Sequence, residues 1–387
     1  MTQVDDARLG ELVGRVLGDL GGAFSVPLVR IGDELGLYRA LRDTGPVAVE
    51  DLAAATGCAP RYLREWLSAQ AASGYVTHDD GRFSLTPEQA MVFAEPDSPV
   101  NLVGAFDTAA AMSENQAKVQ VAFKTGKGVA WGDQAGCLFC AVARLFRPGY
   151  VNALVQDWLP ALDGVAERLR SGATVADVGC GHGVSTIVMA QAFPASQFTG
   201  FDFHPGSIAA ATAHARSHGL TNLRFAVARA QDFPAEDLDL ITCFDCLHDM
   251  GDPAGAAAHI RKALKPGGSW MIVEPAAGDR LEDNLNPVGR IYYSASTMIC
   301  VPTSLAQETG LALGAQAGEA AHRRRGPVGR LQPCPARGRN AAEHGAGGAI
   351  GPAPEKNKAA GLTPAFISRL CPAVAAAKDQ HDAAHAH

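Results

Sequence analysis

The alternation of short strands and helices between residues 171 and 300 constrains the fold of this chain more than any other feature. Apolar runs of strand length, TVADVG, QFTGFD, LRFAVA, LDLITCF and SWMIVE, alternate with helical segments such as VSTIVMAQAF and GSIAAATAHARSHG. Strands that alternate with helices build a parallel sheet with helices on both faces. We therefore predict an α/β fold for this part of the chain.

A glycine-rich loop follows the first predicted strand. The sequence VADVGCGHG places Gly179, Gly181 and Gly183 at alternate positions, and Val184 stands where a dinucleotide-binding loop has its third glycine. Ligands of parallel sheets bind beyond the carboxyl ends of the strands, where this loop is expected. The loop indicates a nucleotide site, but the glycines alone do not identify the nucleotide.

Two acidic residues follow the next two strands. Asp202 ends the second strand, where a carboxylate can accept hydrogen bonds from both ribose hydroxyls, and Asp232 follows the third strand, where it can accept from an adenine amino group. Phe203 and Phe233 adjoin these acids and offer apolar faces to the ring. Each acid alone could be a helix cap or a solvated loop charge. Together with the glycine loop they favour an adenosine site.

These segments resemble the class I S-adenosylmethionine-dependent methyltransferases. The matching stretches are VADVGCGHG, GFDFH, AQDF, LITCFDCLHDM and LKPGGSWMIVE, within residues 171–275. The resemblance implies a Rossmann-like sheet, S-adenosyl-L-methionine as cofactor and methyl transfer to a small-molecule acceptor. It implies that Asp202 holds the ribose, Asp232 contacts the adenine and Phe244 lines the cofactor. The residues implied around the methionine end are Asp177, Gly179, Cys180, Gly181 and Gly183.

The stretch CLHDM supplies a candidate general base. A hydroxyl acceptor must lose its proton, and histidine suits that task near neutral pH. O-methyltransferases with a similar HDW motif use its histidine as the base, so the resemblance makes His248 the candidate here, with Glu274 orienting it. Met250 replaces the tryptophan of that motif, which changes the expected shape of the acceptor pocket. The alternative is a structural histidine in a helix-start turn capped by Asp249.

Residues 1–95 outline a winged-helix domain. Two helices are separated by a break at Gly57, and a hairpin follows with its turn at Asp79–Gly81. The outline resembles the dimerisation domain of small-molecule O-methyltransferases, which implies a homodimer. The nearest resemblance is to a group of actinobacterial methyltransferases that are sometimes labelled transcriptional regulators.

A DNA-binding regulator that senses the cofactor is therefore the alternative function. In such a protein the second helix of the winged helix enters the major groove. Here that helix offers Arg61 and Arg64, and Glu65 offsets their charge. The whole chain has a net charge of −7. This balance disfavours binding to a phosphate backbone, so we do not expect nucleic acid as a partner.

The remaining segments complete the predicted organisation. Residues 96–170 are expected to be helical and to cover the acceptor pocket, and residues 171–320 are expected to form the cofactor-binding domain. The motifs CLFC and CFDC are interpreted as buried cysteines, so no metal site is predicted. The chain shows no apolar run that would span a bilayer and begins with an acidic amphipathic stretch rather than a signal peptide. We expect a cytoplasmic protein without a membrane partner.

The tail, residues 321–387, does not fit the resemblance. It is rich in Arg, Gly, Pro and Ala where such sheets have two further strands, the last antiparallel to its neighbours. Codons permitted for Gly329–Gly351, read one nucleotide later, allow a strand, a turn, a second strand and a stop. We therefore hypothesise a frameshift near residue 320. It predicts that the C-terminal strands are lost, that the fifth strand keeps an unpaired edge, and that residues 351–387 are disordered.

Overall fold

A computed structural model describes residues 4–318, 320–321, 331–332 and 373–378. The α-helices are α1 (Asp6–Glu34), α2 (Leu37–Thr44), α3 (Val49–Thr56), α4 (Pro60–Ala72), α5 (Pro87–Phe93), α6 (Val103–Thr125), α7 (Cys137–Gly149), α8 (Val165–Ser171), α9 (Val184–Ala192), α10 (Pro205–Ser217), α11 (Pro253–Ala263), α12 (Pro287–Ala295) and α13 (Val301–Leu305). The strands are β1 (Thr77–Asp79), β2 (Arg82–Ser84), β3 (Thr174–Val178), β4 (Gln197–Asp202), β5 (Leu223–Val227), β6 (Leu238–Phe244), β7 (Leu264–Glu274), β8 (Leu331–Gln332) and β9 (Ala373–Lys378). Two π-helical segments, Tyr150–Trp158 and Ser296–Cys300, extend α7 and α12.

The central sheet has the order β5-β4-β3-β6-β7-β9-β8, and its first five strands run parallel. These five strands are the ones that the sequence predicts, so the α/β fold is confirmed. The strand order reverses beside β3, with β4 on one side and β6 on the other. Such a reversal opens a crevice at the carboxyl ends of the strands, which is where ligands of this fold class bind.

Alternate residues of the strands face two separate cores. Val175 and Met271 belong to a core that includes residues of α8 and α9, whereas Ala176 and Ile272 belong to one that includes residues of α11. Successive strand residues point to opposite faces, so a strand covered on both sides is apolar throughout. This burial on both faces explains the uninterrupted apolar runs in the sequence.

The far edge of β7 corrects the interpretation of the tail. Residues 373–378 pair antiparallel with Ser269–Glu274, and Leu331–Gln332 pairs with β9. The predictions of an unpaired edge and of lost C-terminal strands are therefore wrong for these described strands. Unpaired N–H and C=O groups at the edge of a sheet favour the addition of another strand. The segment AVAAAK is not recognisable as a strand from its sequence, because alanine has a low β-propensity. The rest of residues 322–387 lies outside the described residues, and the frameshift stays a prediction.

The N-terminal region forms the predicted winged-helix outline. Helices α3 and α4 are separated at Gly57, which adopts a φ of 70°, and β1 and β2 form the hairpin. An apolar core joins α2 to α5 with this hairpin, and the Trp66 indole N–H donates to the Leu28 carbonyl of α1 at 2.8 Å. The long helix α1 is thereby held against the winged helix by its C-terminal part.

Helices α6 and α7 lie between the winged helix and the sheet. Arg144 of α7 donates two hydrogen bonds to the carboxylate of Asp33 in α1, at 2.6 and 2.9 Å, and a third to Asp107 in α6 at 3.1 Å. A bidentate arginine–carboxylate pair fixes direction as well as distance. The three helices are therefore joined by charge, and α7 is positioned over the carboxyl ends of the strands.

Among the described residues, two helical stretches are long and apolar enough to cross a membrane, judged by length and composition only, where the sequence analysis expects none. They are Asp6–Glu34 and Cys137–Trp158. Core helices of soluble proteins pass the same test, so two such stretches are a weak sign of a membrane protein. Leu138, Leu154 and Trp158 of the second stretch are buried in the protein interior.

Candidate active site

A cavity of about 570 Å³ opens between the carboxyl ends of the strands and α7. Its floor includes the glycine loop, Asp202 and Phe244, and four aromatic side chains line it from the region of α7. Those four residues are Trp131, Phe139, Phe146 and Tyr150. The volume falls in the range of about 300–1,000 Å³ typical of small-molecule sites. The cavity occupies the crevice that the strand order creates.

The glycine loop requires glycine for steric as well as conformational reasons. Gly179 and Gly183 adopt φ values of 77° and 73°, a region that disfavours other residues. A Cβ on Gly179 would lie 2.6 Å from the Cys246 sulfur, and one on Gly183 would lie 2.4 Å from the Phe225 ring. Gly179, Cys180 and Gly181 line the cavity, whereas Gly183 packs behind it as the N-cap of α9.

Asp177 supports the loop from below and does not line the cavity. Its carboxylate accepts hydrogen bonds from Ser185 at 2.7 Å, from Thr186 at 2.6 Å and from Thr242 at 2.9 Å. Burial raises the pKa of Asp177, although the three hydroxyl donors act in the opposite direction. The residue therefore ties β3, β6 and the first turn of α9 together.

Asp202 is buried at the cavity floor and is held by backbone donors. The N–H groups of Gly181 and His204 donate to its two oxygens at 3.0 and 2.8 Å. Each carboxylate oxygen keeps further acceptor capacity for a ligand hydroxyl. Burial raises the pKa of Asp202 despite these donors. Phe203 follows it with 44% exposure and also lines the cavity.

Asp232 and Phe233 do not line the cavity. Asp232 forms an ion pair with Arg229 at 2.6 Å, its side chain is half exposed, and the hydrogen bond from Arg229 lowers its pKa. Phe233 is buried and stacks on Phe201 with ring centroids 5.1 Å apart. Their neighbours Arg229 and Gln231 line the cavity instead. The adenine contact of Asp232 stays a prediction that the ion pair opposes.

The structure brings His248 and Glu274 into direct contact. The Nδ1 atom of His248 forms a hydrogen bond with Glu274 Oε2, and Glu274 Oε1 accepts from the Leu247 N–H at 2.8 Å. Both side chains are buried, and neither lines the cavity. The adjacent Asp249 and Met250 do line it, and Asp249 Oδ1 lies 3.2 Å from His248 Nε2.

The charges around His248 favour its protonated form. Burial lowers the pKa of His248, but the carboxylates of Glu274 and Asp249 outweigh this effect and raise the pKa well above its ordinary value. Burial also raises the pKa of Asp249. A cation that enters the cavity would oppose the imidazolium and lower the pKa of His248.

His248, Asp249 and Cys300 form the cluster of metal-binding atom types that the described residues contain. Their ligand atoms lie within 4.8 Å of one another. Burial and Asp249 raise the pKa of the Cys300 thiol to about 12, so it stays protonated near neutral pH. Both ring nitrogens of His248 already face carboxylates. We therefore interpret the cluster as a hydrogen-bonded network.

Asp245 and Tyr150 are among the polar residues at the cavity that the sequence does not predict. Asp245 follows β6 in the motif CFDC, whose cysteines alone enter the prediction, and Tyr150 belongs to residues 96–170, which are predicted only to cover the pocket. The Tyr150 hydroxyl donates to Asp245 Oδ2 at 3.3 Å. The position of Asp245 directly after a strand was the available signal, the same one that identified Asp202.

Comparison with known families agrees with this geometry. Residues 169–318 match the family model described as a methyltransferase domain. Residues 23–95 match a second model, described as an Rv2258c-like winged HTH domain. The two matches coincide with the parallel sheet and with the N-terminal winged-helix outline.

Curated relatives of the methyltransferase domain include ubiquinone biosynthesis O-methyltransferases. The one from Leptothrix cholodnii is 31% identical over 132 residues, which are 33% of this chain and 53% of that protein. The one from Pseudomonas paraeruginosa is 32% identical over 131 residues, which again are 33% of this chain and 53% of that protein. The chain thus spans about half the length of these relatives.

Solved structures share the fold over most of the chain. Mitomycin 7-O-methyltransferase MmcR superposes with a TM-score of 0.58 and 21% identity, covering 85% of this chain and 96% of that one. Human N-acetylserotonin methyltransferase, solved in complex with SAM, superposes with a TM-score of 0.60 and 16% identity. The match covers 98% of this chain and 99% of that one. At these identities the likeness concerns the fold alone.

Proposed function

We propose that this protein transfers a methyl group from S-adenosyl-L-methionine to the hydroxyl of a small-molecule acceptor. The observation that carries the proposal is the hydrogen bond from the Gly181 N–H to Asp202 at 3.0 Å. It joins the glycine loop and the ribose-binding carboxylate at one cavity of a methyltransferase domain. Domain boundaries at residues 95, 170 and 320 and a cytoplasmic location belong to the same proposal.

The cavity residues fit an adenosyl ligand. Asp202 would accept from the two ribose hydroxyls, and Phe203 offers its half-exposed ring to the adenine. The tight approach of Gly179 to Cys246 leaves backbone rather than side chain at the methionine end, which Cys180 and Phe244 also border. The cofactor supplies an electrophilic methyl group on a sulfonium. Arg229 donates to Oδ2 of Asp232, so adenine recognition by Asp232 would use Oδ1.

His248 is the proposed general base, and Glu274 is its positioning residue. The hydrogen bond to Nδ1 fixes the ring so that Nε2 is the atom that takes the acceptor proton. Nε2 lies beside Asp249, which borders the cavity, so the acceptor hydroxyl would approach past this carboxylate. Holding the hydroxyl in line with the methyl group supplies much of the rate in such a displacement.

The aromatic side chains around α7 would bind the acceptor. Trp131 and Phe139 pack edge to face at 5.3 Å, and Phe146 and Tyr150 continue the same wall of the cavity. Such a wall favours a flat apolar acceptor. An assay of methyl transfer from labelled S-adenosylmethionine to a panel of phenols tests the activity. Product formation supports it, and cofactor binding without any transfer across the panel would count against an oxygen acceptor.

We also propose that a second copy of the chain covers the N-terminal half of α1. Exposed apolar residues recur there at helical spacing, namely Leu9, Val13, Val16, Leu17, Leu20 and Phe24. A stripe of this length on a soluble helix marks an interaction surface. In a two-fold dimer the same stripe would meet itself, which requires no additional partner.

If the apolar stripe of α1 forms the dimer interface, negative charges introduced into the stripe should prevent dimerisation. The double change Leu17→Asp and Phe24→Asp should convert the protein to a monomer, because it buries four carboxylates in a two-fold interface. Light scattering during size-exclusion chromatography measures the mass. Arg15→Asp, on the opposite face of α1, is the matched control and should stay dimeric. A monomeric wild-type protein would rule out this interface.

The described residues give little support to the alternative function of a DNA-binding regulator, because the arginines of α4 are paired with glutamates. Arg64 of α4 pairs with Glu50 at 2.7 Å, and Arg61 pairs with Glu65 one turn away. Paired arginines provide little net charge for phosphates. Gel-shift measurements with genomic fragments at physiological salt should show no specific complex. A specific complex that responds to S-adenosylmethionine would favour the regulator.

A further inference from the structure

Asp245 is held at the cavity in an unusual backbone conformation. It follows the last residue of β6 and adopts a φ of 50°, a region that non-glycine residues enter rarely and aspartate tolerates better than most. Its N–H donates to the Val273 carbonyl at 2.7 Å, which holds the turn against β7. Conformations of this kind persist where the surrounding structure imposes them, often at ligand sites.

The Asp245 carboxylate forms no ion pair among the described residues, and the His248 charge, which lowers its pKa, is shared with Glu274 and Asp249. Its Oδ2 accepts from the Tyr150 hydroxyl at 3.3 Å, and its Oδ1 is buried without a hydrogen-bond partner among the described residues. Burial and the nearby Glu274 raise the pKa of Asp245 well above its ordinary value. Buried polar atoms are nearly always satisfied, so a donor from a ligand is the missing partner. A cationic donor would also stabilise the ionised carboxylate.

The strand order locates this donor relative to the ribose site. Asp202 ends β4 and Asp245 follows β6, and these strands flank β3, whose loop carries Gly179 and Gly181. A ligand with its ribose on Asp202 therefore crosses the glycine loop before it reaches Asp245. Both carboxylates line the same cavity. In an adenosyl amino acid, the group that lies beyond the ribose and carries positive N–H donors is the α-ammonium.

We propose that Asp245 binds the α-ammonium group of the cofactor's methionine moiety, with Tyr150 as its positioning residue. The inference rests on the proposed function and assigns a residue to the end of the ligand distant from the adenine. The Tyr150 hydroxyl occupies Oδ2 and leaves Oδ1 for the ligand. Asp249 also has a buried Oδ1 without a hydrogen bond, but that atom already faces the His248 imidazole at 3.2 Å.

Comparing the affinities of two adenosine ligands distinguishes loss of this contact from general disruption of the site. S-adenosylhomocysteine carries the amino acid group, and 5′-methylthioadenosine lacks it. Calorimetric titration of Asp245→Asn should show S-adenosylhomocysteine weakened about 10- to 100-fold, as expected when a hydrogen bond to a charged group is lost. Methylthioadenosine should bind within about twofold of wild type. Asparagine is nearly isosteric and tolerates the same φ, so the turn should be kept.

Tyr150→Phe provides the second variant. It removes the hydroxyl that orients Asp245, and it should weaken S-adenosylhomocysteine less than Asp245→Asn does while leaving methylthioadenosine unchanged. Equal losses for both ligands in Asp245→Asn, or no loss for either, would overturn the inference. If wild-type protein binds neither ligand, the proposed function itself fails, which is a distinguishable result.

Discussion

Asp202→Asn should weaken binding of S-adenosylmethionine and S-adenosylhomocysteine by about 100-fold or more. Hydrogen bonds to a charged group contribute about 1.5–3 kcal/mol each, and the ribose would donate two of them to this carboxylate. The variant keeps the size of the side chain and leaves an oxygen for one of the two backbone donors, Gly181 or His204. The measurement is calorimetric titration at constant salt, with thermal unfolding to verify that the variant is folded.

Asp232→Asn is the matched control for this experiment. It makes the same chemical change beyond the end of the neighbouring strand, but Asp232 itself does not line the cavity and is paired at 2.6 Å with Arg229, which does. We expect a change in affinity below about threefold, because the ion pair is exposed. A loss of affinity equal to that of Asp202→Asn would instead support the contact between Asp232 and adenine that the sequence predicts. An unchanged affinity in Asp202→Asn would remove the ribose assignment.

His248→Ala should lower kcat by about 10²- to 10⁴-fold, the usual contribution of a general base. The affinity for S-adenosylhomocysteine should stay within about threefold of wild type, since His248 does not line the cavity. Glu274→Gln should give a smaller loss, because it weakens the orientation of the ring without removing Nε2. The measurement is initial rate with saturating cofactor and an acceptor identified from the phenol panel.

The pH profile distinguishes a base from a structural histidine. The carboxylates of Glu274 and Asp249 raise the pKa of His248, so the base form increases as pH rises and kcat should rise with it. In His248→Ala this dependence should disappear. Loss of the histidine removes the positive charge beside the carboxylates of Glu274 and Asp249, so chemical unfolding of the variant must be measured alongside. Undiminished turnover in the folded variant would remove the proposed base.

The sequence predicts the parallel sheet and the glycine loop because local physics determines both. Val175 and Met271 face one core while Ala176 and Ile272 face another, and this burial on both faces leaves an apolar signature in the chain. Gly179 is specified by its positive φ and by its approach to Cys246. The apolar runs and the positive φ leave local signatures in the sequence, whereas the contact with Cys246 joins residues that are distant in the chain.

The remaining site residues depend on contacts that the sequence does not display. Asp232 resembles Asp202 in its position after a strand, but Arg229, three residues earlier, pairs with it at the surface. Asp245 reaches the cavity through a turn with positive φ, within a motif that its cysteines dominate. The outcome for Asp232 depends on the direction of a local side chain, and that for Asp245 depends on a turn held against Val273 of β7.

The tail illustrates the same limit for pairing between distant segments. Ala373–Lys378 pairs with β7 about 100 residues earlier in the chain, across Ser269–Glu274. Alanine has weak β-propensity, and the pairing is decided by the edge that β7 offers rather than by the segment itself. A local interpretation of composition therefore could not anticipate it.

Titration of the full chain with S-adenosylmethionine and S-adenosylhomocysteine tests the central claim most directly. The account predicts one binding site per chain for each ligand, and Asp202→Asn should weaken both to the extent stated above. It rests on the shared cavity of Gly179, Gly181 and Asp202. Absence of binding to wild-type protein, or binding that Asp202→Asn leaves unchanged, would contradict it.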